Sequence, residues 1–444
     1  MTMSGKQDKP NILIITTDQQ SAGMMSCCGT TWLNTPAMDE LAAEGVRFEN
    51  AICANPVCVP SRISIATGVM SCRLGAPDNT GTKAVLPKQV AENSLGRLMK
   101  RAGYATFYGG KVHMCDQLSP LKAGYDVFDP DSRDGLPKAC ISFFNGKRRE
   151  PFFAVASFIN PHDICYVHNA KVERRPQIGA VTKLYRKAIR LPEDRLPPLP
   201  GNFKLPDYEP EGIGARESIQ AVTPAGTMYR TYDERDWRIY RWVYARLTEQ
   251  VDKKIGTILE ALKDNGLDDN TVVIFTSDHG NMHANHGLAS KGVFYEESVG
   301  VPFLIKYGGE IPAGRVNKDN LVNIGLDIVP TCCDFAGVDA PAGLLGVSQR
   351  GAAESRPDAP THPFVVSENG NGRMLKTKQW KYTVYRAGTN RESLVDLEGD
   401  PGEMKNLSLD PKHANTLAAY RTMMREWFQR SEDEDAAVFA LEGS

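Results

Sequence analysis

An α/β fold is predicted, with a mostly parallel central sheet sandwiched by helices. Three observations predict it. Short apolar runs rich in β-branched residues alternate with amphipathic segments of helical period, as in chains of βαβ units. The runs are apolar throughout, as strands buried on both faces must be. Two of them end in aspartate, and sheets of this kind place their chemistry just beyond the carboxyl ends of the strands.

The first run is Asn11 to Thr17 (NILIITT), followed by Asp18. Thr35-Pro36 then opens a helix with Met38, Leu41 and Ala42 on one face and Gly45 at its end; cap, early proline and terminal glycine punctuate it. Ser94 to Ala102 is an amphipathic helix stopped at Gly103, and Ala105 to Tyr108 is the next strand. Phe152 to Ile159 (FFAVASFI) is a third apolar run. Trp237 to Leu262 reads as a long helix, its stripe formed by Tyr240, Val243, Tyr244, Leu247, Val251, Ile255, Ile258 and Leu262. Thr271 to Thr276 (TVVIFT) is a strand that runs into Ser277-Asp278-His279-Gly280.

Between 171 and 236 this alternation fails. The segment is rich in proline, arginine and lysine, and reads as an irregular surface excursion. It is either a solvated loop, the reading favoured here, or a substrate-facing lid that attracts anions. After Gly346 the character changes again. Phe364 to Ser367, Arg373 to Lys376, Trp380 to Tyr385 and Ser393 to Leu397 are short strands, and Leu417 to Arg430 is a closing helix. The expected division is a catalytic domain over 1–346 and a smaller α+β subdomain with an antiparallel sheet over 347–444.

Charge and cysteine content narrow the function. Across 444 residues, 52 Lys and Arg face 54 Asp and Glu, a net charge of −2. Without a global basic field, neither nucleic acid nor an anionic membrane is an expected partner. No apolar run is long enough to span a bilayer. Met1 to Pro10 is polar and lacks the apolar core of a signal peptide. A cytoplasmic location is therefore expected, or a periplasmic or secreted one if a leader has been removed. The ten cysteines form neither a disulfide framework nor a zinc pattern. Nine of them read as reduced, mostly buried thiols.

The tenth is Cys58. It opens Cys58-Val59-Pro60-Ser61-Arg62, which is followed by Ala66-Thr67-Gly68. This stretch resembles the C-x-P-S-R signature of type I sulfatases in the alkaline phosphatase superfamily. Companion motifs appear in the family's order: Asp18-Gln19, Gly110-Lys111-Val112-His113, Asn160-Pro161-His162, Ser277-Asp278-His279-Gly280 and Lys291-Gly292. Val395-Asp396-Leu397 to Asn406-Leu407 looks like the family's closing segment. The resemblance covers nearly the whole chain apart from the excursion.

It implies a specific chemistry. A thiol is a poor nucleophile toward a sulfate ester, and in the family the motif cysteine is oxidised to formylglycine (3-oxoalanine) by a formylglycine-generating enzyme. The hydrated aldehyde attacks sulfur through one hydroxyl, and loss of the proton on the other lets the adduct collapse and release sulfate. By resemblance Cys58 is that residue. Pro60 and Ser61 start a helix whose N-terminus favours an anion. Asp18, Asp278 and His279, with residue 58, bind a divalent metal, Ca²⁺ before Mg²⁺ or Mn²⁺. Arg62, Lys111 and Lys291 stabilise the charge that builds on sulfate. His113 abstracts the proton that triggers collapse, and His162 lies toward the leaving group with Lys291.

Many sulfatases carry a second Asp where Gln19 stands and Asn where His279 stands. Gln19 is accordingly assigned to the substrate oxyanion. Asp78-Asn79 resembles a pair in the choline-sulfatase and phosphonate-hydrolase branches where the Asn touches the anion; a plain turn is the alternative for Asn79. Asp163 reads first as an exposed turn and second as a residue that orients a substrate hydroxyl or cation, and His168, His362 and His413 read as surface residues. The expected activity is hydrolysis of a small sulfate monoester, a carbohydrate sulfate first and an aryl or choline sulfate second. The rival readings are a phosphonate monoester or phosphodiester hydrolase on the same scaffold, and a catalytically silent sulfatase-like binding protein.

Overall fold

The computed structural model describes residues 9–171, 179–206, 208–214 and 231–441. Its centre is an eight-stranded sheet. The strands are β1 (Asn11–Asp18), β2 (Val46–Ile52), β3 (Ala105–Gly110), β4 (Val127–Asp129), β5 (Phe152–Pro161), β6 (Thr271–Ser277), β7 (Phe303–Lys306) and β8 (Arg315–Asn323). Their order is β4-β3-β5-β1-β6-β7-β2-β8, with β7 antiparallel to both neighbours and every other pairing parallel.

Alternation along β1 shows why such a strand must be apolar throughout. Ile12 and Ile14 enter one core, and Leu13 and Ile15 enter the other. The first core is covered by α3 (Leu95–Arg101) and α7 (Ile324–Phe335). The second is covered by α1 (Pro36–Glu44), α4 (Leu136–Phe144) and α6 (Glu234–Asp264). A helix on each face leaves no solvent side for polar residues. α6 starts at a capping box in which Asp233 and Asp236 bond each other's backbone N–H. Its Asp252 also caps α1, accepting from the N–H groups of Ala37 (3.3 Å) and Met38 (2.9 Å).

The strands missed by pattern are β2, β4, β7 and β8. β7 has four residues, too few to show a period. β8 is an edge strand whose residues 315–320 are largely solvated, so it carries no apolar run. The stretch 171–236, expected to be irregular, contains the helix α5 (Gly179–Ala188). Its Val181 and Ala188 pack with Leu196 against Trp237, Tyr240 and Val243 of α6. Its high cationic content masked that narrow apolar stripe. Residues 172–178, 207 and 215–230 of the excursion lie outside the described residues.

A separate antiparallel sheet follows, ordered β12-β11-β10-β9. Its strands are β9 (Val365–Asn369), β10 (Gly372–Lys376), β11 (Trp380–Tyr385) and β12 (Glu392–Asp396). The closing helix α8 (Ala414–Ser431) covers it with Leu417, Tyr420, Met424, Trp427 and Phe428. A buried charge network joins the small sheet to the large one. Lys376 Nζ meets Glu296 Oε2 at 2.6 Å, and Lys381 Nζ meets Glu296 Oε1 at 2.6 Å and Glu403 Oε1 at 2.7 Å.

The helix that matters most is α2 (Cys58–Thr67), buried along most of its length. α7 crosses it closely: a Cβ at Gly325 would sit 2.6 Å from Ala54 Cβ and 2.8 Å from Ser64 Cβ. Only glycine admits that approach. No helix among the described residues is long and apolar enough to cross a membrane, and all ten cysteines are free.

Candidate active site

Parallel pairing delivers the two carboxylates together. The register sets Thr17 of β1 against Ser277 of β6, so the next residues, Asp18 and Asp278, leave the sheet side by side. Gln19 then turns the chain with φ of 70°. Its N–H donates to Asp278 Oδ1 (3.0 Å), as does the N–H of His279 (2.9 Å). Both carboxylates are buried, at 0% and 1% exposure.

Cys58 is the first residue of α2, with exposed helix dipole at its back and 1% exposure. Its Sγ lies 3.1 Å from His279 Nε2, 3.5 Å from Lys291 Nζ and 3.9 Å from Asp18 Oδ1, and the buried His162 imidazole lies beside it. Burial and Asp18 push the thiol up, yet Lys291, His279 and Lys111 pull it well below its usual range. His279 Nδ1 sits 2.9 Å from the Gly280 carbonyl. That bond holds a proton on Nδ1 and aims Nε2 at Cys58; burial lowers the imidazole, but the charges of Asp278 and Cys58 outweigh it and raise it above its usual range.

Arg62, one turn along α2, ties the site together. Its Nε donates to Asp278 Oδ2 (2.9 Å) and its Nη2 to Asp18 Oδ2 (3.0 Å). Its Nη1 donates to Ser157 Oγ (2.8 Å) and the Lys111 carbonyl (3.0 Å). Lys111 Nζ closes on Asp18 Oδ2. Gly110, just before it, has φ of 96°, and a Cβ there would lie 2.0 Å from the Ser157 carbonyl oxygen. Burial alone would raise Asp18; Lys111, His162, Arg62 and Lys291 hold it well below the carboxylate range. Asp278 moves the other way, raised by burial and by the charge of Asp18. Lys291 Nζ donates to Gln19 Oε1 (2.6 Å), so Gln19 orients the lysine beside Cys58.

Of the residues read from the sequence, Asp18, Gln19, Cys58, Arg62, Lys111, His162, Asp278, His279 and Lys291 form one connected cluster. Two fall elsewhere. His113 is exposed, with φ of 47°, and the imidazoles that contact Cys58 are those of His162 and His279. Asn79 is exposed, and its Oδ1 accepts from the Val59 N–H (3.2 Å), so it caps the first turn of α2. Asp163 is fully buried rather than in an exposed turn, clamped by both Nη atoms of Arg133. His168 is buried, and His362 Nε2 pairs with Asp327 Oδ1 at 2.8 Å, so neither is a surface residue.

Sequence reasoning missed Ser157, the second anchor of Arg62. It also missed Cys165, whose Sγ lies 3.3 Å from Gln19 Oε1. Cys165 follows His162 by one turn of a short 3₁₀ helix (His162–Tyr166), and that spacing was the available signal.

The ligand atoms of Asp18, Cys58, Asp278 and His279 lie within 4.8 Å of one another. Two carboxylates and one imidazole fit a divalent cation, and the thiol sulfur stands in for an oxygen of the oxidised side chain.

Known proteins agree with this geometry. The family model for sulfatases matches residues 10–338, and that for the C-terminal part of N-sulphoglucosamine sulphohydrolase matches 284–430. A Delta 4,5-hexuronate-2-O-sulfatase of Bacteroides thetaiotaomicron is 31% identical over 456 residues, covering 96% of this chain and 90% of the relative. A choline-sulfatase of Rhizobium meliloti is 28% identical over 484 residues, covering 97% and 89%. The solved structure of a 2-O GAG sulfatase superposes with a TM-score of 0.82 at 29% identity, covering 98% of this chain and 95% of that one. Strand-end carboxylates, a buried cysteine at a helix start and these relatives lead to one conclusion: the chain belongs to the sulfatase family of sulfuric ester hydrolases.

Proposed function

We propose that the chain hydrolyses the sulfate monoester of a small sulfated sugar, with residue 58, oxidised to formylglycine, as nucleophile. The observation that carries this reading is the convergence of Asp18, Asp278, His279 and Lys291 on the Cys58 side chain at the start of α2. The relatives that act on 2-O-sulfated hexuronate and GAG sulfate favour a sugar over choline.

Asp18, Asp278, His279 and residue 58 would hold the metal, which we take as Ca²⁺ from its preference for carboxylate oxygen. When bound, it supplies Lewis acidity and an orienting charge for sulfate. Formylglycine supplies an oxygen nucleophile with a second hydroxyl as its exit. The protein's own groups do the rest. Lys291 presents a cation beside residue 58 where negative charge develops. Arg62 fixes both carboxylates in position and neutralises them. His162 is held below the ordinary imidazole range, chiefly by burial, so it is neutral near pH 7 and accepts a proton from residue 58.

The test is sulfate release from a panel: a 2-O-sulfated unsaturated hexuronate disaccharide, choline sulfate, an aryl sulfate and a phosphonate monoester. Peptide mass spectrometry across residues 53–62 of the same sample reports the state of Cys58. Turnover of the sugar, its loss in Cys58→Ala, and its loss on chelation with recovery on added Ca²⁺ support the reading. Activity that survives Cys58→Ala, or a preference for choline sulfate or the phosphonate, overturns it.

A further inference from the structure

Lys291 Nζ can only donate, so the oxygen of the Gln19 amide must face it. That choice turns Gln19 Nε2 the other way, into the interior, where an amide N–H without an acceptor is costly. Asn281 Oδ1 accepts from it at 3.4 Å. Asn281 is fully buried and lies two residues past His279, on the loop that leaves β6. Its own N–H donates to Ser21 Oγ (2.9 Å), which fixes its backbone beside the turn after β1.

The far side of Asn281 meets α6. The Tyr240 hydroxyl lies 3.3 Å from both Oδ1 and Nδ2 of Asn281. Tyr244 follows one turn later on the same face. Its hydroxyl donates to the Gln19 carbonyl (2.6 Å) and accepts from the Ser21 N–H (3.1 Å). Both tyrosines are buried, at 1% and 0% exposure. α6 thus presents two hydroxyls to the active site. One holds the Gln19 backbone, and the other reaches the Gln19 side chain through Asn281.

The same elements hold the backbone that carries the lysine. The Met282 N–H donates to the Ser290 carbonyl (2.7 Å), and the Ser290 backbone lies beside the Tyr240 hydroxyl. The loop from Asn281 to Lys291 is therefore closed at its neck, next to α6. Every member of the chain from Tyr240 through Asn281 to Gln19 is neutral. A carboxylate at position 19 would form an ion pair with Lys291 and offset its charge. An amide places the ammonium and leaves its charge for an anion.

We propose that Tyr240 and Asn281 are positioning residues for Lys291, acting through the Gln19 amide to hold the ammonium beside residue 58. The proposal rests on the reading of Lys291 as the cation that meets charge developing on sulfate. It gives a face of the long helix a part in catalysis that no motif in the sequence marks.

Two variants test it. Asn281→Ala removes the acceptor, and Tyr240→Phe keeps the packing and removes only the hydroxyl. With a 2-O-sulfated unsaturated hexuronate disaccharide as substrate, kcat should fall about five- to tenfold in Asn281→Ala and about two- to threefold in Tyr240→Phe, while KM stays within about twofold of wild type. In a Lys291→Ala background, which has already lost the group being placed, neither change should lower kcat further. A crystal structure of Asn281→Ala should show the Gln19 amide turned away, with Oε1 beyond hydrogen-bond distance of Lys291 Nζ. An unchanged kcat in both variants, the same loss repeated in the Lys291→Ala background, or a Gln19–Lys291 hydrogen bond that survives Asn281→Ala overturns the proposal. A Gln19 amide that turns off Lys291 in that crystal structure, when the wild type releases sulfate from no sugar, overturns the proposed function and leaves the positioning chain standing.

Discussion

Two buried charge networks sit at opposite ends of the segment from Lys291 to Glu297, and they are balanced differently. At the active site Arg62, Lys111 and Lys291 face Asp18 and Asp278, so with residue 58 in the neutral oxidised form proposed above, fixed positive charge exceeds fixed negative charge before any metal is added. Between the two sheets, Lys376 and Lys381 face Glu296 and Glu403, and Lys381 also donates to the Phe294 carbonyl (3.0 Å). The second network is closed: each cation has its acid. The first is open, and an anion completes it. Burial of charge is thus no mark of function by itself; the residual sign is.

Breaking each network should separate stability from activity. The largest effect is expected from Lys381→Met. It strands Glu403 in a buried site, leaves Glu296 with Lys376 alone, and should cost about 3–5 kcal/mol of stability. Denaturant unfolding would measure that, while sulfate release per folded molecule should hold at the wild-type value. Lys291→Ala should do the reverse. Losing a cation aimed at developing charge should lower kcat/KM about 10²–10³-fold. Its thermal midpoint should stay within a few degrees of wild type, because the site it leaves is less repulsive. A fall as large as that of Lys381→Met would mean that the active-site network is closed as well.

The smallest effect concerns Glu297, which lies beside the closed network without a lysine of its own. Burial and the charge of Glu403 push it up to about 7. A carboxyl raised in the folded state contributes stability that is full below its unfolded value near 4.5 and is lost as pH rises through about 7. Glu297→Gln keeps the oxygen that accepts from Asn202 Nδ2 (3.0 Å) but cannot ionise. It should therefore gain about 1–3 kcal/mol over wild type at pH 8.5 and nothing at pH 4.5, read from unfolding curves at the two pH values. A constant difference across that range would remove Glu297 as the source.

The open network was largely legible in the sequence, and the closed one was not. Asp18, Cys58, Arg62, Asp278 and His279 stand in short motifs at the ends of apolar runs, and a strand end fixes where its next residue emerges. The metal quartet inferred from those motifs is the one whose donors converge. Lys381 and Glu403 carry no such mark, since an acid and a base far apart in the chain look like solvated charges until a tertiary fold joins them. The two histidines show the limit between these cases. Lys111-Val112-His113 and Asn160-Pro161-His162 both follow strands. The turn at His113, with φ of 47°, leaves that ring exposed, whereas His162 reaches Cys58. Spacing names both rings, but only backbone geometry chooses between them. The same holds for Asn79, whose side chain goes to a helix cap.

The depth of Cys58 sets a clock on its maturation. At 1% exposure no enzyme can grip the side chain of the finished fold. The groups that enclose it come late in the chain: His279 is 221 residues downstream and Lys291 is 233. During synthesis at about 5–20 residues per second, the helix-start cysteine therefore stays open for roughly 10–50 s before its enclosing residues exist. Under the proposed function, oxidation of residue 58 would belong to that interval on the nascent chain. A protein made faster than its modifying enzyme can act would fold around an unconverted thiol and keep it.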